Sequence, residues 1–259
     1  MTITPEIKKH TWTALTSMAA LPEVYRTIST LKTTVQDKLL KDALVPLTIE
    51  GAYGKMFDSA EEKLVFSNWQ TFEMETLMNT PAILSPALMY IFHRIEQALD
   101  GKPMLIDLDE CWIFFDNPTF AGKIREWLKV LRKSNASVIF ATQSLADIVD
   151  TPIFSTILES CPSRIFLPNK NAFEERSKKL YRAFGLNDRQ LQILTQATPK
   201  KEYYYVSELG CRLYDLDLEQ EALAYCAVNK QDLITCSRII AEYGRADFVP
   251  KWREHKGLQ

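Results

Sequence analysis

Residues 103–117 read PMLIDLDECWIFFDN. From Pro103 to Leu108 the run is apolar but for Asp107, the composition of a strand buried on both faces of a parallel sheet. Yet three carboxylates, Asp107, Asp109 and Glu110, stand inside this stretch. A buried carboxylate is costly unless something pairs with it. The stretch therefore predicts a strand that carries acidic groups to a site.

The flanking sequence places that strand in an α/β unit. Upstream, Ser85-Pro86 opens a predicted helix, with Leu88, Ile91, Phe92, Ile95 and Leu99 at helical spacing and Gly101 ending it. Downstream, Asn117-Pro118 caps a helix with an inner stripe of Phe120, Ile124, Trp127, Leu128 and Leu131. Its other face carries Lys123, Arg125, Glu126, Lys129, Arg132 and Lys133. ASVIFATQS reads as a second buried strand, Thr151-Pro152 as the start of a helix and SRIFLPN as a third strand. Strand, helix, strand, helix, strand in this order predicts parallel pairing through right-handed crossovers.

The first third reads as helical. Thr4-Pro5 is a cap and first helical residue, and Trp12, Leu15, Met18 and Ala19 fall on one face. A second helical stretch spans about Pro22–Asp42, GAYGKMFDSAEEKLVFSNWQ reads as a connector, and SNWQTFEMETL as an entering strand. Towards the C-terminus, helices are predicted near Ala172–Phe184 and Asp188–Gln196. EYYYVS and CRLYDL form a hairpin across residues 208–210, and Leu218–Tyr243 is helical. The expected organisation is an all-α lobe and connector over 1–66, an α/β core over 67–217 and a helical tail over 218–259.

Bulk properties narrow the class. The chain has 259 residues, 46% hydrophobic and 25% charged, enough for a sizeable core. A formal charge of −2 gives no global pull toward nucleic acid or anionic lipid, so such contacts must be local. Five cysteines without a CxxC pair, and three histidines, argue against structural zinc and for reduced thiols. No apolar run nears the ~18 residues of a membrane span, and MTITPEIKKH lacks a signal-peptide core. A cytoplasmic protein is expected, any attachment at the inner membrane being peripheral.

Parallel sheets bind ligands beyond the carboxyl ends of their strands, which is where Asp109 and Glu110 leave the first strand. Apolar residues followed by Asp-Glu match the acidic strand end of P-loop NTPases. There the aspartate holds Mg²⁺ and the glutamate orients or deprotonates the attacking water. Taken alone, the pair reads equally as a cap on the following turn. The second strand ends in Ala141-Thr142-Gln143-Ser144 at the same edge, and a glutamine there can sense a γ-phosphate or place a water. Asp107 shares a face with Asp109. It reads as a buried, hydrogen-bonded aspartate or, with Asp109, as the DxD pair of a metal-dependent nuclease.

PMLIDLDECWIFFDNPTFAGKIREWLKVLRKSNASVIFATQSLADI, with ILESCPSRIFLPN and FGLNDRQLQIL, resembles the C-terminal ATPase domain of the TrbE/CagE family of conjugative-transfer and type IV secretion ATPases. The resemblance is densest from about Trp69 to Asp215. It implies a RecA-like α/β fold with a mostly parallel sheet and an all-α lobe, hexameric motors related to HerA and FtsK, and ATP with Mg²⁺. Through it, Asp109 is expected to bind magnesium, Glu110 to activate water, Gln143 to sense phosphate and Arg132 to reach a neighbouring subunit's nucleotide. It also implies sister subunits and inner-membrane secretion components as partners, with DNA contact through the basic helix 119–134.

One element of the pattern is missing. Phosphate cradling needs G-x-x-x-x-G-K-[ST]. The three Gly-Lys pairs, Gly54-Lys55, Gly101-Lys102 and Gly122-Lys123, are followed by Met, Pro and Ile. The family's phosphate loop is expected upstream of Met1, and no independent hydrolysis is expected from this chain. A module that only docks on sister subunits or secretion components is the competing reading.

Overall fold

The computed structural model describes residues 4–59, 61–62, 64–65, 67–115 and 118–258. The chain divides into two compact units, Met1–Asp100 and Gly101–Gln259.

The described residues of the first unit are helices and loops. Helix α1 (Pro5–Ala19) starts at a proline, with the Thr4 hydroxyl accepting the Ile7 amide at 3.3 Å. It buries Ile7, Ala14 and Met18, while Trp12 is 73% exposed. The face predicted around Trp12 and Leu15 is therefore turned outward. The stretch Pro22–Asp42 is not one helix: α2 (Ile28–Thr34) and α3 (Lys38–Leu44) are separate, each with its own side-chain cap, Thr27 and Asp37. These caps compete with helix continuation by satisfying the first backbone donors of a new one. Asp58 accepts the amides of Ser29, at 3.1 Å, and Ile49, at 2.7 Å, holding the loop over α2.

Helix α4 (Gly54–Phe57) sits in the predicted connector. A Cβ on Gly54 would stand 2.0 Å from the Thr48 carbonyl oxygen, so this glycine is required by close packing of backbone on backbone. SNWQTFEMETL is not a strand: the described residues before Glu75 carry no ladder, and α5 (Glu75–Met78) closes the segment. Helix α6 (Pro81–Gln97) begins four residues before the predicted Ser85 and carries Pro86 within it. Pro86 lies in the early turns, where few i−4 partners are lost. Leu88 and Phe92 of the predicted stripe are buried, and Glu62 bonds both Tyr90 and Arg94 on this helix.

In the second unit, β1 (Met104–Leu108) pairs in parallel with β2 (Ala136–Phe140), Met104 opposite Ala136 and Leu108 opposite Phe140. The crossover runs through α7 (Trp112–Phe115), α8 (Pro118–Val130) and a 3₁₀ turn, Leu131–Ser134. The predicted cap Asn117 lies outside the described residues. Helix α8 buries Phe120, Ile124 and Trp127 at 0, 0 and 1% exposure, followed by Leu131, as the spacing predicts. Asn135, in the left-handed conformation, ends the crossover, and its side chain donates to the Gly101 carbonyl at 3.2 Å.

After β2 come α9 (Ala146–Val149) and α10 (Phe154–Ser160), which packs on α8. The third strand, β3 (Arg164–Phe166), departs from expectation. It pairs with neither β1 nor β2 but antiparallel with β4 (Glu202–Ser207), which pairs with β5 (Gly210–Asp215) in the predicted hairpin. The expected mostly parallel sheet is thus a two-stranded parallel pair and a three-stranded antiparallel sheet. Helices α11 (Glu175–Ala183) and α12 (Asp188–Gln196) lie between β3 and β4 in sequence. Phe166 meets Tyr181 and Phe184 edge-on, with centroids 6.0 Å apart in each case. That aromatic cluster gives β3 a core of its own.

The tail forms α13 (Gln220–Cys226), α14 (Lys230–Tyr243) and α15 (Phe248–His255). Trp252, 1% exposed, donates its indole N–H to the Ala224 carbonyl at 3.1 Å and so binds α15 to α13. No helix of the described residues is long and apolar enough to cross a membrane.

Candidate functional site

The β1–β2 pair has one buried and one open face. Ile106 and Leu108 point inward, whereas Leu105, Asp107 and Asp109 lie on the exposed face. The sequence predicted burial on both faces. In fact the strand alternates, and its carboxylates avoid the desolvation that its composition implied. Asp107 is exposed opposite the partly exposed Ile139 rather than buried and hydrogen-bonded to a neighbour.

The ladder continues past both strands. Ala141 donates its amide to the Leu108 carbonyl at 3.0 Å, and Cys111 donates to the Ala141 carbonyl at 2.9 Å. This registers Asp109-Glu110 beside Thr142-Gln143 at the carboxyl edge. There the Gln143 amide donates to Glu110 Oε1, so two strand ends far apart in sequence form one cluster. On the other side of the carboxylate, the Trp112 indole N–H donates to Glu110 Oε2 at 2.9 Å.

Local geometry explains how these groups meet. Glu110 adopts a φ of 50°, the left-handed region rarely used by non-glycine residues. Such conformations persist where the surroundings over-determine them and cluster at functional sites. Here the turn is fixed by the Ile113 amide donating to the Glu110 carbonyl at 3.2 Å and by the Glu110 amide donating to Asp109 Oδ1 at 3.0 Å. Across the sheet end, the Thr142 hydroxyl accepts the Ser144 amide at 3.3 Å, shaping the turn that carries Gln143.

Cys111, fully buried, lies directly behind the acidic pair. Burial, assisted by the nearby charges of Glu110, Asp109 and Asp147, pushes its thiol up to about 12. It is a packing residue. Phe115, beside it in the same turn, stacks near Phe140 at 5.7 Å and lines an open groove of about 440 Å³ with Asp147, Asp150 and Arg176.

Asp109, Glu110 and Gln143 are brought together; Arg132 is not. It is exposed in the 3₁₀ turn before β2, whereas Gln143 follows that strand. Five strand residues at ~3.3 Å each separate the two ends by ~16 Å. Of the basic residues on the crossover, Lys123 pairs with Glu126 at 3.4 Å and Arg125 donates to the Pro152 carbonyl at 3.2 Å. Trp112 is the participant that sequence reading missed. Its only signal was its position two residues after Glu110, and reach depends on the left-handed turn between.

The donor set at this edge is hard oxygen: Asp109, Glu110 and the hydroxyls of Thr142 and Ser144. Among the described residues no three His, Cys, Asp or Glu side chains form a group able to hold a metal alone. That fits Mg²⁺, which commonly takes one or two carboxylates and completes its shell with water and phosphate.

Acidic and amide side chains gathered at the carboxyl ends of parallel strands mark an α/β ligand-handling domain of the kind that open sheets build at this edge. The chain belongs to the TraG P-loop domain family, whose model matches residues 33–247. It is 42% identical over its whole length to a probable conjugal transfer protein TrbE of Sinorhizobium fredii, covering 39% of that protein. It is 42% identical over 90% of its length to the conjugal transfer protein TrbE of Rhizobium radiobacter, covering 28% of it. The type IV secretion system protein VirB4 of Bartonella henselae is 26% identical over 94% of the chain and 32% of VirB4. The chain therefore spans well under half the length of these relatives. The solved structure of VirB4 of Thermoanaerobacter pseudethanolicus superposes with a TM-score of 0.60 at 17% identity, over 83% of this chain and 65% of that one. That likeness establishes a shared fold.

Proposed function

We propose that this chain carries the magnesium- and water-handling half of an ATP-hydrolysing site in a motor of conjugative transfer or type IV secretion, with a RecA-like core. The observation that carries the reading is the Gln143–Glu110 hydrogen bond, which unites the ends of two adjacent parallel strands. In this role Asp109 holds Mg²⁺, Glu110 orients and deprotonates the attacking water, and Gln143 faces the γ-phosphate. The ion, when bound, supplies charge neutralisation to the phosphate oxygens.

Nothing in the 259 residues supplies the glycine-rich backbone donors and lysine that cradle phosphates. The phosphate-binding elements must come from other polypeptide, and this chain alone is inactive as a hydrolase. Arg132 lies at the far end of β2, so it acts on the nucleotide of a neighbouring subunit. A guanidinium supplied in this way is worth ~10³–10⁵ in rate where such residues operate. Sister subunits in a hexamer and inner-membrane secretion components are the partners, DNA meets the exposed basic side of α8, and the work is done on the cytoplasmic side of the membrane.

A second reading rests on the same absence of a phosphate loop: a non-catalytic module that docks on sister subunits or secretion components. Calorimetry with Mg·ATP, comparing the isolated chain with the chain joined to its phosphate-binding elements, separates the two. Binding only in the joined state, weakened by Asp109→Ala and with hydrolysis abolished by Glu110→Gln, supports the ATPase reading. Binding and hydrolysis indifferent to both substitutions leave the docking module.

A further inference from the structure

We propose that Glu110 is held by a two-armed clamp in which Trp112 is a positioning residue and Gln143 the exchangeable arm. The inference rests on the reading of Glu110 as the water-activating carboxylate, and it adds to that reading a residue and a device. Both carboxylate oxygens are engaged by different donors: Oε2 by the Trp112 indole at 2.9 Å, Oε1 by the Gln143 amide.

The two arms differ in how firmly each is seated. Trp112 opens α7, whose Phe114 and Phe115 are anchored at 5 and 2% exposure, and the tight turn 110–113 fixes its backbone relative to Glu110. It is half-buried, whereas Gln143 is exposed on a turn beyond β2. An indole N–H only donates, so Trp112 has no competing use for an acceptor in this position. A carboxamide carries both a donor and an acceptor and can transfer its N–H to another anion.

The left-handed backbone of Glu110 aims its side chain back across the turn, where the indole meets it. The pair thus fixes one rotamer of a side chain that would otherwise sample several. A phosphate oxygen arriving at Gln143 draws the amide away and frees Oε1 for water, while Trp112 keeps Oε2 and the orientation of the group. The clamp restrains Glu110 until phosphate is present.

The test is a ¹H–¹⁵N spectrum of the isolated chain with labelled indoles and no nucleotide. The Trp112 signal is assigned by Trp112→Phe, and the other four indoles report on the fold. The expected result is a Trp112 N–H shifted downfield and protected from exchange. Glu110→Ala removes both properties, and Gln143→Ala preserves them. A Trp112 signal unchanged by Glu110→Ala, or lost equally in Gln143→Ala with the other indoles unmoved, overturns the two-armed clamp. Because the signal is read without nucleotide, its failure leaves the magnesium reading intact. Conversely, failure of Mg·ATP binding or hydrolysis in the joined protein does not move it.

Discussion

Ile124→Ala tests the connection between helical phase and the site. Ile124 is 0% exposed in the middle of α8, the crossover that sets β2 beside β1. The substitution removes three buried carbon groups at about 0.8 kcal/mol each, roughly 2.4 kcal/mol of transfer free energy. Phe120, Trp127 and Ala121 are themselves buried at 0, 1 and 4% exposure, so the space left closes poorly. The cavity contribution then raises the total to about 3–4 kcal/mol, within the ~2–5 kcal/mol range of such changes. Lys129→Ala, on the exposed side of the same helix, is expected to stay within about 0.5 kcal/mol. Urea unfolding followed by tryptophan fluorescence measures both, with the slope compared to confirm that only stability changed. A loss under about 1.5 kcal/mol for Ile124→Ala, or equal losses for both variants, would refute the assigned packing face.

Two further outcomes are expected. With its pKa pushed to about 12 by burial, Cys111 resists iodoacetamide at pH 8 while exposed Cys211 and Cys226 react. Mass mapping before and after denaturation checks this, and native labelling of Cys111 would contradict its burial. Asp232 is held below the ordinary carboxylate value, first by the Lys256 ammonium, 2.6 Å from its Oδ1, and then by the Asn229 amide. A depressed folded value means its contribution is complete above about pH 4 and lost as pH falls through that lower value. Amide signals of α14 should therefore show an acid-induced loosening that Asp232→Asn abolishes at low pH, and an identical acid response in both proteins would count against the pair.

Much of the helical framework was legible because it depends on nearby residues. The stripe Phe120, Ile124, Trp127 and Leu131 repeats at the helical period and is buried as spaced. Thr4-Pro5 starts α1, and the polar turn at 208–209 closes the β4–β5 hairpin. Where local signals competed they misled. The caps at Thr27 and Asp37 divide a stretch that periodicity joins, and Trp12 lies on a helical face that the core does not use. The acidic strand end was equally visible, since Asp-Glu after an apolar run and Gln143 after the next strand are adjacent in any parallel pairing of the two.

The sequence by itself determined the helix faces, the caps, the β1–α8–β2 crossover and the gathering of Asp109, Glu110 and Gln143 at one edge, because these follow from periods and short spacings along the chain. Only the tertiary structure decided that β3 leaves the parallel pair for β4. A three-residue strand is placed by the aromatic cluster of Phe166, Tyr181 and Phe184 and by whichever ladder lies within reach, neither of which is written locally. It alone decided, too, that Asp107 and Asp109 face outward and that the Trp112 indole holds Glu110. Exposure and side-chain reach depend on what packs against a strand and on the left-handed turn at Glu110, quantities that arise only once distant segments have come together.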